Sequence, residues 1–330
     1  MADAEKTGSA DGAGRARRGE IVIGTRGSAL ALWQAEYVKS LLEAESGLPV
    51  RLVTVKTTGD KILDVPLVKV GGKGLFTKEL EVELLAGRVD LCVHSMKDVP
   101  TALPEGCTFA AMTERADARD VIVSGGGYGI ATLPEGATVG TSSLRRRAQI
   151  AHVRPDLAIV DVRGNLDTRL RKAETGELDA VVLASAGITR LGWQDRITSY
   201  VSVVEMVPAV GQGAIGIETR EEDGFVRGLV ARIGHAETML CVTVERVVMR
   251  ALEGGCQVPI GAHARLEDGV LVMDAVVGSV DGTRIVREQL HGSAEDPEAL
   301  GLAMVARLRE LGADEILAEI RECGEGPVAG

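Results

Sequence analysis

The chain has 330 residues, 45% of them hydrophobic and 26% charged, an ordinary globular composition with room for two or three domains. A net charge of -11 and an aromatic content of 2% argue against nucleic-acid binding, which wants a basic face and stacking rings. No apolar run reaches membrane-spanning length, and five cysteines without a CxxC pair oppose both a disulfide framework and a zinc site, so we expect no metal and a cytoplasmic location.

Residues 1–19 carry two basic clusters and no apolar core, so they read as a disordered leader and not as a secretory signal. EIVIGT is a strand ending in Gly24-Thr25, and the following GSALALWQAEYVKSLLEAESG has helical spacing. Leu30, Trp33, Tyr37 and Leu41 form its stripe, Val38 and Leu42 widen it, and Gly47 ends it. RLVTVKTTG returns as a strand, which makes a βαβ unit and predicts a parallel sheet. Arg26, Gly27 and Ser28 fall at the helix N-terminus, a place suited to an anion. In VDLCVHSMKDVP, Val89, Leu91 and Val93 read as a buried strand. His94, Ser95, Lys97 and Asp98 follow at its carboxyl end, where α/β proteins collect their ligand sites. The same letters also allow a capping box between Ser95 and Asp98.

The pattern then repeats. In ATVGTSSLRRRAQIAHVRPDLAIVDVRGN, Gly140-Thr141 answers Gly24-Thr25, and ETGELDAVVLAS, with Asp179, echoes LAGRVDLCVHS, with Asp90. We therefore expect an α/β fold class: two similar periplasmic-binding-protein-like domains around a cleft, plus a smaller C-terminal α+β domain. Domain 1 takes residues 20–113 and 214–233, domain 2 takes 119–207, and hinges fall near 114–118 and 205–213. GQGAIG at 211–216 copies the GxGxxG dinucleotide pattern, but Pro208 interrupts the strand before it and AIGIETR after it alternates like a strand, so a glycine hinge is the better reading. Domain 3, residues 236–330, opens with a helix, continues in strands joined at Asp268-Gly269 and Asp281-Gly282, and ends in one or two helices.

Three groups of residues could carry chemistry. Arginines thicken between Arg145 and Arg190, and with Arg26 they offer Arg145, Arg146, Arg163, Arg169 and Arg190 to one cleft. Such forks suit a ligand with several carboxylates, although solvated helix faces would also use them. Lys69 and Lys73 lie in VKVGGKGLF, a glycine-rich stretch that could cover the cleft. Cys256 sits in LEGGCQVPIG, where neighbouring glycines leave its sulfur open to act as a nucleophile or a covalent anchor, whereas Cys92 and Cys241 read as buried hydrophobes.

Taken together, TRGSALALWQ, VGGKGLFTKELE, HSMKDVP, GTSSLRRRAQ, RGNLDTRL, PAVGQGAIGIE and LEGGCQVPIG resemble, in order and from about residue 20 to the C-terminus, the porphobilinogen deaminases, also called hydroxymethylbilane synthases. The resemblance implies a transferase that condenses four porphobilinogen molecules with loss of ammonia, primed by a dipyrromethane cofactor, and releases the linear tetrapyrrole hydroxymethylbilane. It implies Asp98 as catalytic residue and Cys256 as the covalent attachment of the cofactor. Lys97, Thr141, Ser142, Ser143, Arg145, Arg146 and Arg169 would hold the cofactor, while Arg26, Ser28, Arg163, Arg190 and Gln212 would serve the substrate and growing chain. Lys69, Lys73 and Phe76 are candidate loop contacts, the small-molecule substrate is the expected partner, and a monomer without membrane or nucleic-acid contacts is the expected state. Ala29 stands where the family commonly has proline, and the leader is longer than usual. The alternative is a two-domain carboxylate-binding or sensing protein without catalysis, for which Cys256 would have no use.

Overall fold

A computed structural model of the chain describes residues 19–61, 74–252 and 258–324; most of the expected leader, and Lys69, Lys73 and Cys256, lie outside the described residues. The first βαβ unit is β1 (Ile21–Thr25), α1 (Ala29–Ser46) and β2 (Val50–Thr54), with the two strands parallel. Ser28 starts α1 by accepting the Ala31 N–H, and Gly47 ends it at a φ of +67°, a left-handed turn that glycine takes without strain. The buried face of α1 is Gln34, Ala35, Val38 and Leu42, rotated from the expected stripe. Periodicity marked an apolar face, but part of it serves another contact: Trp33 stacks on Tyr37 with ring centroids 5.4 Å apart, and Arg190 of the second α/β unit lies 5.7 Å from the Trp33 ring.

After α2 (Lys78–Leu85), β3 (Leu91–Ser95) joins β1 in parallel, and β4 (Cys107–Met112) lies at the edge of the sheet. The chain then crosses to a second sheet. There β5 (Asp120–Val123), β6 (Thr138–Gly140), α3 (Leu144–Val153), β7 (Ala158–Val160), α4 (Leu166–Glu174), β8 (Ala180–Ala184), α5 (Ser185–Arg190) and β9 (Ser199–Val201) follow in turn. It crosses back to insert β10 (Ile215–Arg220) antiparallel between β3 and β4. The orders β2-β1-β3-β10-β4 and β7-β6-β8-β5-β9 are the same arrangement twice. AIGIETR is thus a strand, as its alternation indicates, and no helix follows GQGAIG to receive a dinucleotide.

Helices cover both faces of the first sheet, which is why its central strands carry apolar residues on both sides. Ile21, Leu91, Val93 and Ile217 pack with Val38 and Leu42 of α1, while Val89, Cys92 and Cys107 pack with Leu80 and Leu84 of α2. The third unit follows α6 (Gly224–Arg232) and comprises α7 (Ala236–Ala251), the antiparallel strands β11 (Ile260–Glu267), β12 (Val270–Gly278) and β13 (Ile285–Ser293), then α8 (Pro297–Glu310) and α9 (Ala313–Gly324). The β11–β12 hairpin turns at Asp268 and Gly269, with φ of +49° and +83°, the geometry for which Asp-Gly is suited. Two α/β units and a smaller α+β unit are the fold class expected from the sequence.

One ion pair ties the third unit to both crossovers. Arg115, on the first crossover, donates to both carboxylate oxygens of Glu245 on α7 at 2.5 and 3.2 Å and to the Gln212 carbonyl on the second crossover at 2.9 Å. Glu245 also accepts the N–H groups of Gly211 at 2.7 Å and Ala264 at 2.8 Å. A fully buried carboxylate is stable when its lone pairs are occupied in this way.

Candidate active site

Asp98 closes a single 3-10 turn, Met96–Asp98, that begins where β3 leaves the sheet. Ser95 makes no side-chain cap there; its hydroxyl accepts from Gln34 Nε2 at 2.7 Å, so the capping-box reading of HSMKD does not hold. Asp98, Ser95, Gln34, Arg26, Ser28 and Phe76 line one pocket. In it Arg26 grips Asp60, with Nε 3.2 Å and Nη2 2.5 Å from Oδ1, and its guanidinium lies 4.1 Å from the centre of the Phe76 ring. Burial would raise the Asp60 pKa, but hydrogen bonds from Arg26 and Thr57 outweigh it and hold the carboxyl below its ordinary value. Sequence reasoning passed over Gln34 and Asp60. A glutamine inside an amphipathic helix, six residues past Ser28, was the available signal for the first.

The second unit supplies the cations, organised around Asp120, which the sequence did not single out. Arg145 Nη1 lies 2.8 Å from Asp120 Oδ2, while Arg146 donates to Oδ1 from Nε at 3.1 Å and Nη2 at 2.7 Å. Gln212 Nε2 reaches the same Oδ1 at 2.9 Å and the Ala118 carbonyl at 2.7 Å. Burial alone would raise the Asp120 pKa, yet the two guanidiniums win and hold it well below the carboxylate range. Around this hub the Thr141 hydroxyl accepts the Ser143 N–H at 3.2 Å, and the Ser142 hydroxyl donates to the Val162 carbonyl at 2.6 Å. Ser143 caps α3 by accepting the Arg146 N–H.

Mutual electrostatic influence marks out one charged cluster spanning both units. Burial pushes the Lys97 ammonium down to about 8, opposed by Asp98 and reinforced by Arg146 and Arg145. Burial likewise pushes Arg169 down to about 10, with Arg146 and Arg163 repelling it and Asp98 attracting it. Arg169 Nε donates to the Gly164 carbonyl at 3.0 Å. Asp98 and Asp120 are the acids among the main influences on Lys97 and Arg169, set against the guanidiniums of Arg145, Arg146 and Arg163. The buried Arg145 Nε and Gln212 Oε1 have no hydrogen-bond partner among the described residues. The first is a donor and the second an acceptor, so a group bearing several carboxylates fits the excess of cationic side chains here and the open Arg145 N–H. Arg190 stands apart from this cluster: its Nη2 donates to the Gly213 carbonyl at 2.6 Å, and burial pushes it down to about 10.

Comparison with known proteins agrees with this chemistry. Residues 21–227 match the family model for the porphobilinogen deaminase dipyromethane cofactor binding domain, and residues 239–310 match that for the porphobilinogen deaminase C-terminal domain. The porphobilinogen deaminase of Chloroherpeton thalassium is 51% identical over 306 residues, 91% of this chain and 98% of the relative. That of Syntrophobacter fumaroxidans is 55% identical over 301 residues, 91% of this chain and 97% of the relative. A solved periplasmic substrate-binding protein from Coxiella burnetii covers 68% of this chain and 96% of its own at 14% identity and a TM-score of 0.41.

Proposed function

The chain belongs to the porphobilinogen deaminase family, and we propose that within it Asp98 is the carboxylate that serves the reaction. The protein is a transferase of tetrapyrrole biosynthesis that condenses porphobilinogen head to tail, releasing ammonia and giving hydroxymethylbilane, with dipyrromethane as cofactor. A carboxylate-binding protein without catalysis is thereby set aside.

Departure of ammonia from the substrate's aminomethyl group leaves a cation on the pyrrole. A carboxylate about 4 Å from that cation, at an effective dielectric of about 20, is worth roughly 4 kcal/mol to it. Asp98 is the acid that shares a pocket with Arg26 and Ser28, and this shared wall is the observation that carries the assignment. Arg26 and Ser28 would hold the acid side chains of the incoming substrate, Arg26 exchanging Asp60 for the ligand. Arg163, Arg190 and Gln212 would serve the lengthening chain. When bound, the cofactor supplies the terminal pyrrole carbon to which the substrate's methylene is joined. Lys97, Arg145, Arg146 and Arg169, with the hydroxyls of Thr141, Ser142 and Ser143, would hold its carboxylates, and the Cys256 sulfur would tether it.

The same reading makes residues near 114–118 and 205–213 the hinges between domain 1 (20–113 and 214–233) and domain 2 (119–207), with 236–330 as domain 3. It gives Lys69, Lys73 and Phe76 contacts over the cleft. Among the described residues no helix is long and apolar enough to cross a membrane. A cytoplasmic monomer that binds small molecules and no nucleic acid completes the proposal.

Intact mass spectrometry of the purified protein tests it. The expected mass exceeds that of the chain by two pyrrole units, and Cys256→Ser loses both the added mass and the product. An active enzyme with an unmodified Cys256 overturns the tether.

A further inference from the structure

Helix α7 holds the Asp98 turn from both sides. Before Asp98 in the chain, Met96 belongs to a small apolar cluster with Val242 and Met239 of α7, and Val99, just after it, belongs to the same cluster. Beyond that, Arg246 Nη2, one turn along the helix from Val242, donates to the carbonyls of Pro100 at 2.8 Å and Thr101 at 3.1 Å. Its guanidinium lies 5.6 Å from the ring centre of Phe109 on β4, itself edge-on to His94 of β3. Arg246 is 8% exposed, no acid pairs with it among the described residues, and its Nη1 is buried without a partner. A buried cation met, among the described residues, by two carbonyls and a ring is a costly way to fill a helix–sheet contact, and an apolar side chain would fill it more cheaply. The neighbouring Glu245 fixes the same helix to both crossovers, and the helix ends at Ala251, shortly before Cys256 in the chain.

We propose that Arg246 is a positioning residue for the reaction, setting the Asp98 turn in register with the helix that leads to the cofactor cysteine. The proposal rests on the reading of Asp98 given above. The third unit then does more than carry the cofactor: it fixes the distance between the tethered primer and the carboxylate that serves each addition. A displacement of about 1 Å at a reacting centre can cost two decades in rate, so a clamp on the turn affects turnover more than binding.

The test uses holoenzyme with its cofactor confirmed by intact mass. Arg246→Gln is expected to lower kcat by about tenfold to a hundredfold while KM stays within about twofold. Arg246→Lys, which keeps the charge and a donor and guards against a variant that does not fold, is expected to recover part of the loss. In an Asp98→Asn background, Arg246→Gln should lower the residual rate by less than about twofold, because the group it positions is already gone. Full additivity in the double variant, or a parental kcat in Arg246→Lys and Arg246→Gln alike, overturns the proposal while leaving Asp98 in place. A near-parental rate in Asp98→Asn alone overturns the reading of Asp98, and the proposal with it.

Discussion

The two α/β units are built to one plan. In each, a strand arriving through a crossover runs antiparallel inside an otherwise parallel sheet, β10 in the first and β5 in the second, and each carries a fully buried acid. Glu218 meets His94 at 2.8 Å, and Asp120 meets Arg145 and Arg146. A second correspondence joins Asp90, which accepts the Val22 N–H at 2.8 Å, to Asp179, which accepts the Thr138 N–H at 2.7 Å. The units part company immediately after their third strands. One 3-10 turn follows β3 and presents Lys97 and Asp98, whereas a full helical turn follows β8 and runs from Ser185 to Arg190. A repeated scaffold thus places an acid after a strand on one side, while the guanidiniums of Arg145, Arg146 and Arg169 on the other side come from α3 and α4, and Arg190 alone follows the equivalent strand.

The sharpest way to break this comparison is to exchange those residues. Asp98→Ala should lower the rate of hydroxymethylbilane formation by about two to four decades, the range for removing a charge-stabilising or acid–base group. Ser185→Ala, at the start of the corresponding segment, removes a buried hydroxyl that has no partner among the described residues and should leave the rate within a few-fold. Comparable losses in the two variants would mean that both strand ends are catalytic.

The buried acids come next. Asp120→Ala leaves Arg145 and Arg146 without their counter-ion and should cost about 3–5 kcal/mol in denaturant unfolding. Glu218→Gln, which leaves His94 a neutral partner, should cost about 1–3 kcal/mol. Because the folded state holds the Asp120 pKa below its ordinary 3.8, the stability it contributes is present above that value and is lost as pH falls toward the lower folded one. The parent should therefore lose stability with acid more steeply than Asp120→Ala; parallel curves would remove Asp120 from its place as hub.

Much of this architecture was legible in short stretches, because the signals concerned are local. Ser28 and Gly47 bound α1, Asp268-Gly269 closes a hairpin, and Pro208 with the alternation in AIGIETR removes the dinucleotide reading. What escaped is non-local. Gln212 and Asp120 are 92 residues apart and Arg115 and Glu245 are 130 apart, so no window along the chain contains either pair. The buried face of α1 was read correctly at Val38 and Leu42 but not at Trp33, which is occupied by a ring and a guanidinium that periodicity cannot see. Of the candidate site, Asp98 and Lys97 announced themselves by their place after a strand and Arg146 and Arg169 by the local density of arginines, whereas the division of these residues between cofactor and substrate came from motif resemblance.

A smaller effect separates the two sides of the charged cluster. Lys97, from the first unit, is pushed down to about 8, so it is a cation below that pH and neutral above it, whereas Arg169, from the second, is pushed only to about 10. Uptake of the cofactor by apoenzyme, followed by mass, should slow by about three- to tenfold as pH rises through the Lys97 value. Lys97→Arg should flatten that limb, and an unchanged limb would assign it to another group.

The smallest expected effects test the repeat itself. Asp90 and Asp179 each accept a strand N–H from the neighbouring strand's first residues, so replacing either by Ala should cost about 1 kcal/mol for the lost charged acceptor. Asp90 should cost more, because it also lies 3.6 Å from Arg220, a buried guanidinium that donates to the carbonyls of Leu84 and Val89. In the second unit the Asp179 carboxylate is answered instead by the Thr138 hydroxyl at 2.7 Å. A double-mutant cycle with Arg220→Met, read by chemical denaturation, should return a coupling for Asp90 and none for Asp179. Equal coupling would mean that Arg220 acts through the sheet as a whole, and that the first unit owes nothing to this extra ion pair.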